Sequence, residues 1–212
     1  MLEPVKIASK RYPDIELKVI EGHFVTPNSH ISHYMDMTTM KTRQKSAANI
    51  ARAMAENYNA TTVVDTIICM DGTEVIGAYL AQELTNGGII SKNTHQTMYV
   101  VSPEKDVTGQ LIFRENNVFM AKDKNVLLIM GSVTTGKFLT NTINSINYYG
   151  GTVVGVSAIF SAVTKYRDMP ICAVFTSADV PDYCSYAPEE CALCKKGVRV
   201  DGLANSYGYS RV

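Results

Sequence analysis

The residues best suited to chemistry lie in one stretch between Lys124 and Leu139. An apolar run at residues 126–130 is followed by small and hydroxyl-bearing residues, and then by apolar residues at helical spacing. A strand, a loop and a helix in this order direct unpaired backbone N–H groups and the positive end of the helix dipole at one point. Anions bind at helix N-termini for this reason. The stretch therefore predicts a phosphate-binding loop at residues 132–137.

Two interpretations of this loop are open. The spacing from Gly131 to Gly136 and Lys137 follows a Walker A loop, except that Phe138 stands where Ser or Thr would bind magnesium. The next apolar strand also ends at Ser161 and not at the Asp that such a site requires. Alternatively, the sequence Ser-Val-Thr-Thr-Gly after a hydrophobic strand resembles the phosphate loop of the type I phosphoribosyltransferases.

Further motifs extend this resemblance along most of the chain, in the order found in the orotate phosphoribosyltransferases. They are an N-terminal arm with Gly22-His23-Phe24, Ser29, Ser32 and Tyr34, a turn at residues 71–74, a loop at 102–109, the phosphate loop, and the C-terminal Cys191-Ala-Leu-Cys194. Each motif is weak alone. Their order makes the chain similar to a divergent member of that group.

The resemblance implies that pyrophosphate is displaced from phosphoribosyl pyrophosphate by a ring nitrogen of an orotate-like nucleobase, with Mg²⁺ as cofactor. It implies a homodimer, a base site under the arm, and a mobile loop that closes over the leaving group. The implied site residues are Ser132, Val133, Thr134, Thr135, Gly136 and Lys137 for the 5′-phosphate, Asp71, Gly72 and Thr73 for pyrophosphate, Lys105 as the catalytic residue of the mobile loop, and Phe24 and His30 for the base.

One departure divides the functional hypotheses. The resembled enzymes carry two acidic residues before the phosphate loop, where they bind the ribose hydroxyls, whereas this chain has Met130 and Gly131. The protein is therefore either a transferase with altered sugar recognition or a non-catalytic sensor of phosphoribosyl pyrophosphate or a nucleotide.

Some candidate motifs also have structural interpretations. The turn at Asp71 is equally an ordinary strand–helix turn with Thr73 as helix cap, and the arm is equally a β-turn that closes a small sheet. Cys184, Cys191 and Cys194 would supply three zinc ligands without a fourth. Histidines 23, 30 and 33 lie close together but are separated by Pro27 and Asn28. We assign no metal ligands from the sequence, and the odd number of cysteines argues against disulfides.

The periodicity predicts one α/β domain over residues 1–212, with a parallel sheet flanked by helices. The core covers about 40–178, and a small hood is formed by residues 20–36 and about 180–212. The predicted helices are 40–58, 74–84 and 138–149, and the predicted strands are 62–70, 96–101, 126–130, 152–160 and 171–176, with a hairpin at 110–121 and a helical or irregular segment at 1–19.

Composition excludes two classes of partner. The formal net charge is zero and 46% of the residues are hydrophobic, so the chain can bury a core but offers no basic run for nucleic acid or an anionic membrane. Residues 1–14 lack the apolar segment of a signal peptide. We therefore predict a soluble, cytoplasmic protein.

Overall fold

The chain folds into an α/β core that carries a second sheet built from both chain ends. The computed structural model describes residues 3–94, 97–106 and 110–212. In chain order, the strands of this part are β1 (Val5–Ala8), β2 (Glu16–Val25), β3 (His30–Asp36), β4 (Thr66–Cys69), β5 (Tyr99–Val101), β6 (Glu104–Lys105), β7 (Leu111–Ile112), β8 (Asn125–Val133), β9 (Thr152–Ser161), β10 (Lys165–Tyr166), β11 (Met169–Thr176), β12 (Ser185–Tyr186), β13 (Gly202–Asn205) and β14 (Gly208–Arg211). The helices are α1 (Thr38–Thr42), α2 (Gln44–Ala55), α3 (Glu74–Thr85), α4 (Lys137–Tyr148) and α5 (Ala192–Lys195).

The core sheet has the order β10-β11-β9-β8-β4-β5, and all pairs except β10–β11 are parallel. Its central strands are continuous apolar runs because helices cover both faces. Ile67 and Leu127 pack in the cluster with α2 and α3, whereas Ile68 and Leu128 pack in the cluster with α4. The predicted parallel sheet flanked by helices is confirmed.

Helix α3 approaches the sheet closely at Gly77. A Cβ at this position would overlap the Cys69 sulfur and lie 3.1 Å from Val100 Cγ1. We expect Gly77→Ala to lower the free energy of unfolding by about 1–3 kcal/mol, because overpacking outweighs the better helix propensity of Ala. Denaturant unfolding measures the change. Ala78→Ser on the exposed face of the same helix is the control, and an equal loss in both variants would contradict this packing argument.

The hood is a six-stranded sheet in the order β12-β3-β2-β13-β14, with β1 also paired to β2. Strands β2 and β3 form the predicted arm, and β12, β13 and β14 come from the C-terminal segment. The prediction that residues 1–19 are helical or irregular is wrong, because β1 pairs antiparallel with the first half of β2. Leu17 and Val19 are buried while Lys18 between them is half-buried, which is the period-two pattern of a strand.

The predicted hairpin at 110–121 is also wrong. Strand β7 pairs with β6 and not with residues 118–120, which form one turn of 3₁₀ helix. The backbone N–H groups of Asn117 and Val118 both donate to the carbonyl of Arg114, and these bonds close a helical turn. The predicted strand at 96–101 begins at Tyr99, and residues 95–96 lie outside the described residues. In the described part of the chain, no helix is both long and apolar enough for a membrane span.

Candidate functional site

A cavity of about 530 Å³ lies between the hood and the carboxyl ends of β4 and β8. Ligands of open α/β sheets bind in the crevice outside the carboxyl ends of the strands, so this is the expected place for a site. The core contributes Asp71, Lys105, Ser132, Thr134 and Lys137 to its wall, so the structure brings together residues from all three core segments that the sequence singled out.

The predicted phosphate loop joins β8 to α4. Gly136 precedes the helix with a φ of 74°, a left-handed conformation that suits glycine and turns the chain into α4. The first N–H groups of the helix have no intrahelical acceptor and point toward the loop. Thr134 lies on the cavity wall, whereas the Val133 side chain is buried in the core and the Thr135 side chain is exposed away from the wall.

The turn after β4 holds a carboxylate over the end of β8. Asp71 and Gly72 have positive φ values of 60° and 78°. The Asp71 carboxylate accepts a hydrogen bond from the Gly131 N–H at 3.4 Å and forms an ion pair with Lys105 Nζ at 3.3 Å. A Cβ at Gly131 would lie 3.1 Å from Asp71 Cβ, so glycine leaves the space that the aspartate occupies.

Thr73, by contrast, faces the core. It occupies the cap position of α3, but its hydroxyl donates to the Met70 carbonyl at 2.8 Å and forms no side-chain cap bond. Its side chain is buried and is not on the cavity wall. Of the three residues predicted for pyrophosphate, only Asp71 thus presents its side chain to the cavity.

Lysine side chains converge on this turn. Lys105, on β6, also lies 4.3 Å from the centre of the Phe138 ring, which fixes its ammonium group between the two loops. The predicted mobile loop over 102–109 is described as far as residue 106, and 107–109 lie outside the described residues.

Lys41 is the residue that the sequence interpretation missed. It donates to the Asp71 carbonyl at 2.7 Å and to the Ser206 carbonyl at 2.9 Å, and so connects α1 with the hood. Burial lowers the pKa of Lys41, while the nearby Asp71 carboxylate opposes that shift. The described residues of the wall include three lysines (41, 105 and 137) and a single carboxylate, that of Asp71.

The hood closes the cavity from above with aromatic and polar groups, among them Asn28, His33, Tyr34, Tyr183 and Tyr207. Burial lowers the pKa of His33, so its ring is neutral at pH 7, and burial raises the pKa of Tyr183 to about 12, so its hydroxyl keeps its proton. Within the described residues, the Tyr183 hydroxyl is buried without a hydrogen-bond partner. A ligand in the cavity would find neutral donors and acceptors here.

Neither residue predicted to contact the base lies on the cavity wall. Phe24 is fully buried in the hood core, with its ring centre 5.4 Å from that of Tyr209. His30 Nδ1 lies 3.0 Å from His23 Nε2 and 3.3 Å from Cys194 Sγ. The placement supports neither base contact.

The turn between β13 and β14, for which the sequence indicated no role, does reach the cavity. Residues 205–207 lie on its wall. The Asn205 side chain accepts hydrogen bonds from the backbone N–H groups of Tyr207 at 2.9 Å and Gly208 at 3.2 Å, and these bonds shape the turn.

Comparisons with known sequences and with solved structures find similarity to the same group of proteins. No family model matches the chain. The chain is 22% identical over 187 residues to the orotate phosphoribosyltransferase of Chlorobaculum parvum, a match that covers 86% of the chain and 87% of the relative. Among solved structures, it is similar to Mycobacterium tuberculosis orotate phosphoribosyltransferase (TM-score 0.51, 19% identity, 78% of this chain and 93% of that one). It is also similar to adenine phosphoribosyltransferase from Rhodothermus marinus (TM-score 0.51, 14% identity, 82% and 93%).

The fold is therefore that of the type I phosphoribosyltransferases, and the chain resembles a divergent member of this group. Within the class, its sequence is similar to the orotate phosphoribosyltransferases. The predicted resemblance is confirmed at this level.

Proposed function

We propose that the protein binds phosphoribosyl pyrophosphate and transfers its phosphoribosyl group to a nucleobase, with release of pyrophosphate. The observation that carries the proposal is the charge of the cavity. Three lysines (41, 105 and 137) and one carboxylate, that of Asp71, lie on the described wall of the cavity, together with residues of the phosphate-type loop that leads into α4. This excess of positive charge suits a ligand that carries phosphates at both ends.

In the proposed complex, the 5′-phosphate lies against the loop at 132–137, with Ser132, Thr134 and Lys137 directed at it. Pyrophosphate lies at the turn of Asp71 and Gly72. The C1–oxygen bond of the ribose breaks, and its electron pair leaves with pyrophosphate. A ring nitrogen of the base bonds to C1 and gives up its proton to water. Lys41 and Lys105 stabilise the negative charge that grows on the leaving group.

Mg²⁺, which this class of protein implies, fits the donor set. Magnesium is usually bound through one or two carboxylates together with substrate phosphates, and Asp71 supplies one carboxylate at the proposed pyrophosphate position. When bound, the ion would neutralise phosphate charge there. Asp71 itself is held in place by Gly131 and Lys105, so it is oriented before any ligand arrives.

The hood end of the cavity is the proposed base site. Its polar groups on the wall include the Asn28 side chain and neutral His33. An orotate-like base remains our proposal on the basis of the sequence similarity.

The second candidate function, a non-catalytic sensor of phosphoribosyl pyrophosphate or a nucleotide, is favoured by one observation. Met130 and Gly131 provide no carboxylate for the ribose hydroxyls at the end of β8.

The cytoplasmic location and the homodimer stay predictions.

Calorimetric titration with phosphoribosyl pyrophosphate and Mg²⁺, with ATP as the control, tests the binding step. We expect micromolar affinity for phosphoribosyl pyrophosphate and none for ATP. A pyrophosphate-release assay with orotate, uracil and adenine then separates the two functions. Binding with turnover supports the transferase, binding without turnover on any base supports the sensor, and absence of binding would refute both.

Lys41 offers a direct test of the charge argument. We expect Lys41→Gln to weaken binding of phosphoribosyl pyrophosphate about 10- to 100-fold, because a hydrogen bond to a charged group contributes about 1.5–3 kcal/mol. The change in Kd is measured by calorimetry. Lys45→Gln, on the exposed face of α2, is the control. Equal affinities for the two variants would place the pyrophosphate elsewhere.

A further inference from the structure

A second cluster of reactive side chains lies in the hood, away from the cavity wall. His23 and His30 come from the β2–β3 hairpin, and Cys191 and Cys194 come from the segment around α5. One ligand atom from each of the four lies within 4.8 Å of the others. The two pairs are far apart in sequence, so only the folded hood brings them together.

The separations of these atoms match a tetrahedral metal site. Zinc bonds of about 2.0–2.1 Å to nitrogen and about 2.3 Å to sulfur give ligand-to-ligand edges of roughly 3.3–3.8 Å. His23 Nε2 lies 3.0 Å from His30 Nδ1, 3.6 Å from Cys191 Sγ and 3.7 Å from Cys194 Sγ. Cys194 Sγ lies 3.3 Å from His30 Nδ1. Each of these four distances is within about 0.3 Å of a tetrahedral edge.

Local structure aims His23 at this point. The register of β2 and β3 shifts between Glu21 and Phe24, a bulge that makes the consecutive side chains of His23 and Phe24 both buried. Gly22 allows the close approach of Asp201, whose carboxylate accepts the His23 backbone N–H at 2.8 Å. The bulge thus sends Phe24 into the hood core and His23 toward the cysteines.

Neighbouring groups orient the ligands as they do in metal sites. The Nδ1 of His23 lies 3.0 Å from the Val198 carbonyl, so this nitrogen carries the proton and Nε2 keeps its lone pair for a metal. Gly197, with a φ of 70°, reverses the chain after α5 and brings that carbonyl back. The Cys194 N–H donates to Cys191 Sγ at 3.5 Å and so fixes the position of that sulfur.

We propose that His23, His30, Cys191 and Cys194 bind a structural Zn²⁺ ion that fastens the N-terminal arm to the C-terminal segment. Four protein ligands of this Cys₂His₂ type close the coordination shell and leave no position for substrate. Cys184, the third cysteine of the sequence-level zinc hypothesis, is not part of the set, and the two histidines supply the ligands that the sequence lacked.

The ion would act on the cavity through the hairpin. Asn28, at the hairpin tip, lies on the cavity wall, and His30 begins the strand that follows. A clip between segments more than 160 residues apart restricts the unfolded chain strongly, because closing a long loop by chance is entropically unfavourable. Zinc would thus hold the β2–β3 hairpin in place over the cavity without contacting a substrate bound there.

Metal binding to the reduced, metal-stripped full chain tests the proposal. We expect one equivalent of Co²⁺ to give the visible absorption of a tetrahedral ion and the near-ultraviolet band of thiolate-to-cobalt charge transfer, both abolished by one equivalent of Zn²⁺. Cys194→Ser, at an exposed position that tolerates the change, is expected to weaken Co²⁺ binding at least about 100-fold. Cys184→Ser is the matched control and is expected to bind as the parent chain does.

A second measurement separates a metal site from a packing role. Zn²⁺ is expected to raise the thermal unfolding midpoint of the parent and of Cys184→Ser, and to leave that of Cys194→Ser and His30→Asn unchanged. Failure of the reduced parent chain to bind Co²⁺ would overturn the proposal. Retention of the cobalt spectrum by Cys194→Ser, or its loss in Cys184→Ser, would overturn the ligand assignment.

Discussion

Replacing Asp71 with Asn is expected to lower kcat/KM for pyrophosphate release about 100-fold, which corresponds to about 2.7 kcal/mol of transition-state stabilisation. The carboxylate is the single acidic group on the described cavity wall, and it pairs with Lys105 at 3.3 Å. Asn keeps the shape of the side chain and tolerates the left-handed backbone at a φ of 60°. The variant therefore removes the charge with little change in structure.

Steady-state kinetics on the base that gives turnover, together with calorimetry, would divide this loss between binding and chemistry. Asp123→Asn is a matched control, because Asp123 also has a positive φ, of 57°, but lies at the far end of β8. We expect that control to keep parental kinetics. Activity within about twofold of the parent in Asp71→Asn would show that this carboxylate has no part in the reaction.

The core of this fold could be predicted because its determinants are local. The strands β4, β8, β9 and β11 are apolar runs, and α2, α3 and α4 have apolar residues at helical spacing, so patterns within ten or twelve residues determine them. The position of the phosphate loop follows from the same order of strand and helix. Its Thr134 and Lys137 do lie on the cavity wall.

The hood could not be predicted in the same way, because its pairing joins the two chain ends. Strand β13 lies parallel to β2 through Gly202 and Phe24, a contact that no local pattern encodes. The motif predicts Phe24 as a base contact because it is aromatic, yet the bulge beside it turns the ring into the hood core. The role of Lys41 also depends on contacts that are distant in sequence. It is one lysine on a short helix, and only the turn at Asp71 and the Ser206 carbonyl give it a role.

The same long-range reasoning explains the incomplete metal motif. A Cys-x-x-Cys pair and two histidines that precede it by more than 160 residues satisfy no sequence spacing rule. The ligand set becomes complete only when β2 and α5 meet in the folded hood.

Placing an acidic residue at position 131 is the second change for which we expect a large loss of kcat/KM. Asp71, in the turn after β4, extends over Gly131 and accepts a hydrogen bond from its N–H. Its carboxylate therefore lies at the end of the neighbouring strand β8. Because the Asp71 carboxylate already occupies the space at the end of β8, we expect that Gly131→Asp will not improve sugar binding. We expect this variant to lower kcat/KM about 100-fold, because its Cβ would lie 3.1 Å from Asp71 Cβ and would bring two carboxylates together.

A double-mutant cycle decides whether the two positions are alternative sources of one carboxylate. Asp71→Gly removes the side chain and suits the left-handed backbone, and we expect it alone to match the loss in Asp71→Asn. Combined with Gly131→Asp, it relieves both the crowding and the repulsion, so the double variant should regain about tenfold in kcat/KM over Asp71→Gly. Additive losses would mean that Asp71 serves the pyrophosphate end alone. In that case, the ribose hydroxyls are bound without a carboxylate from either position 71 or position 131.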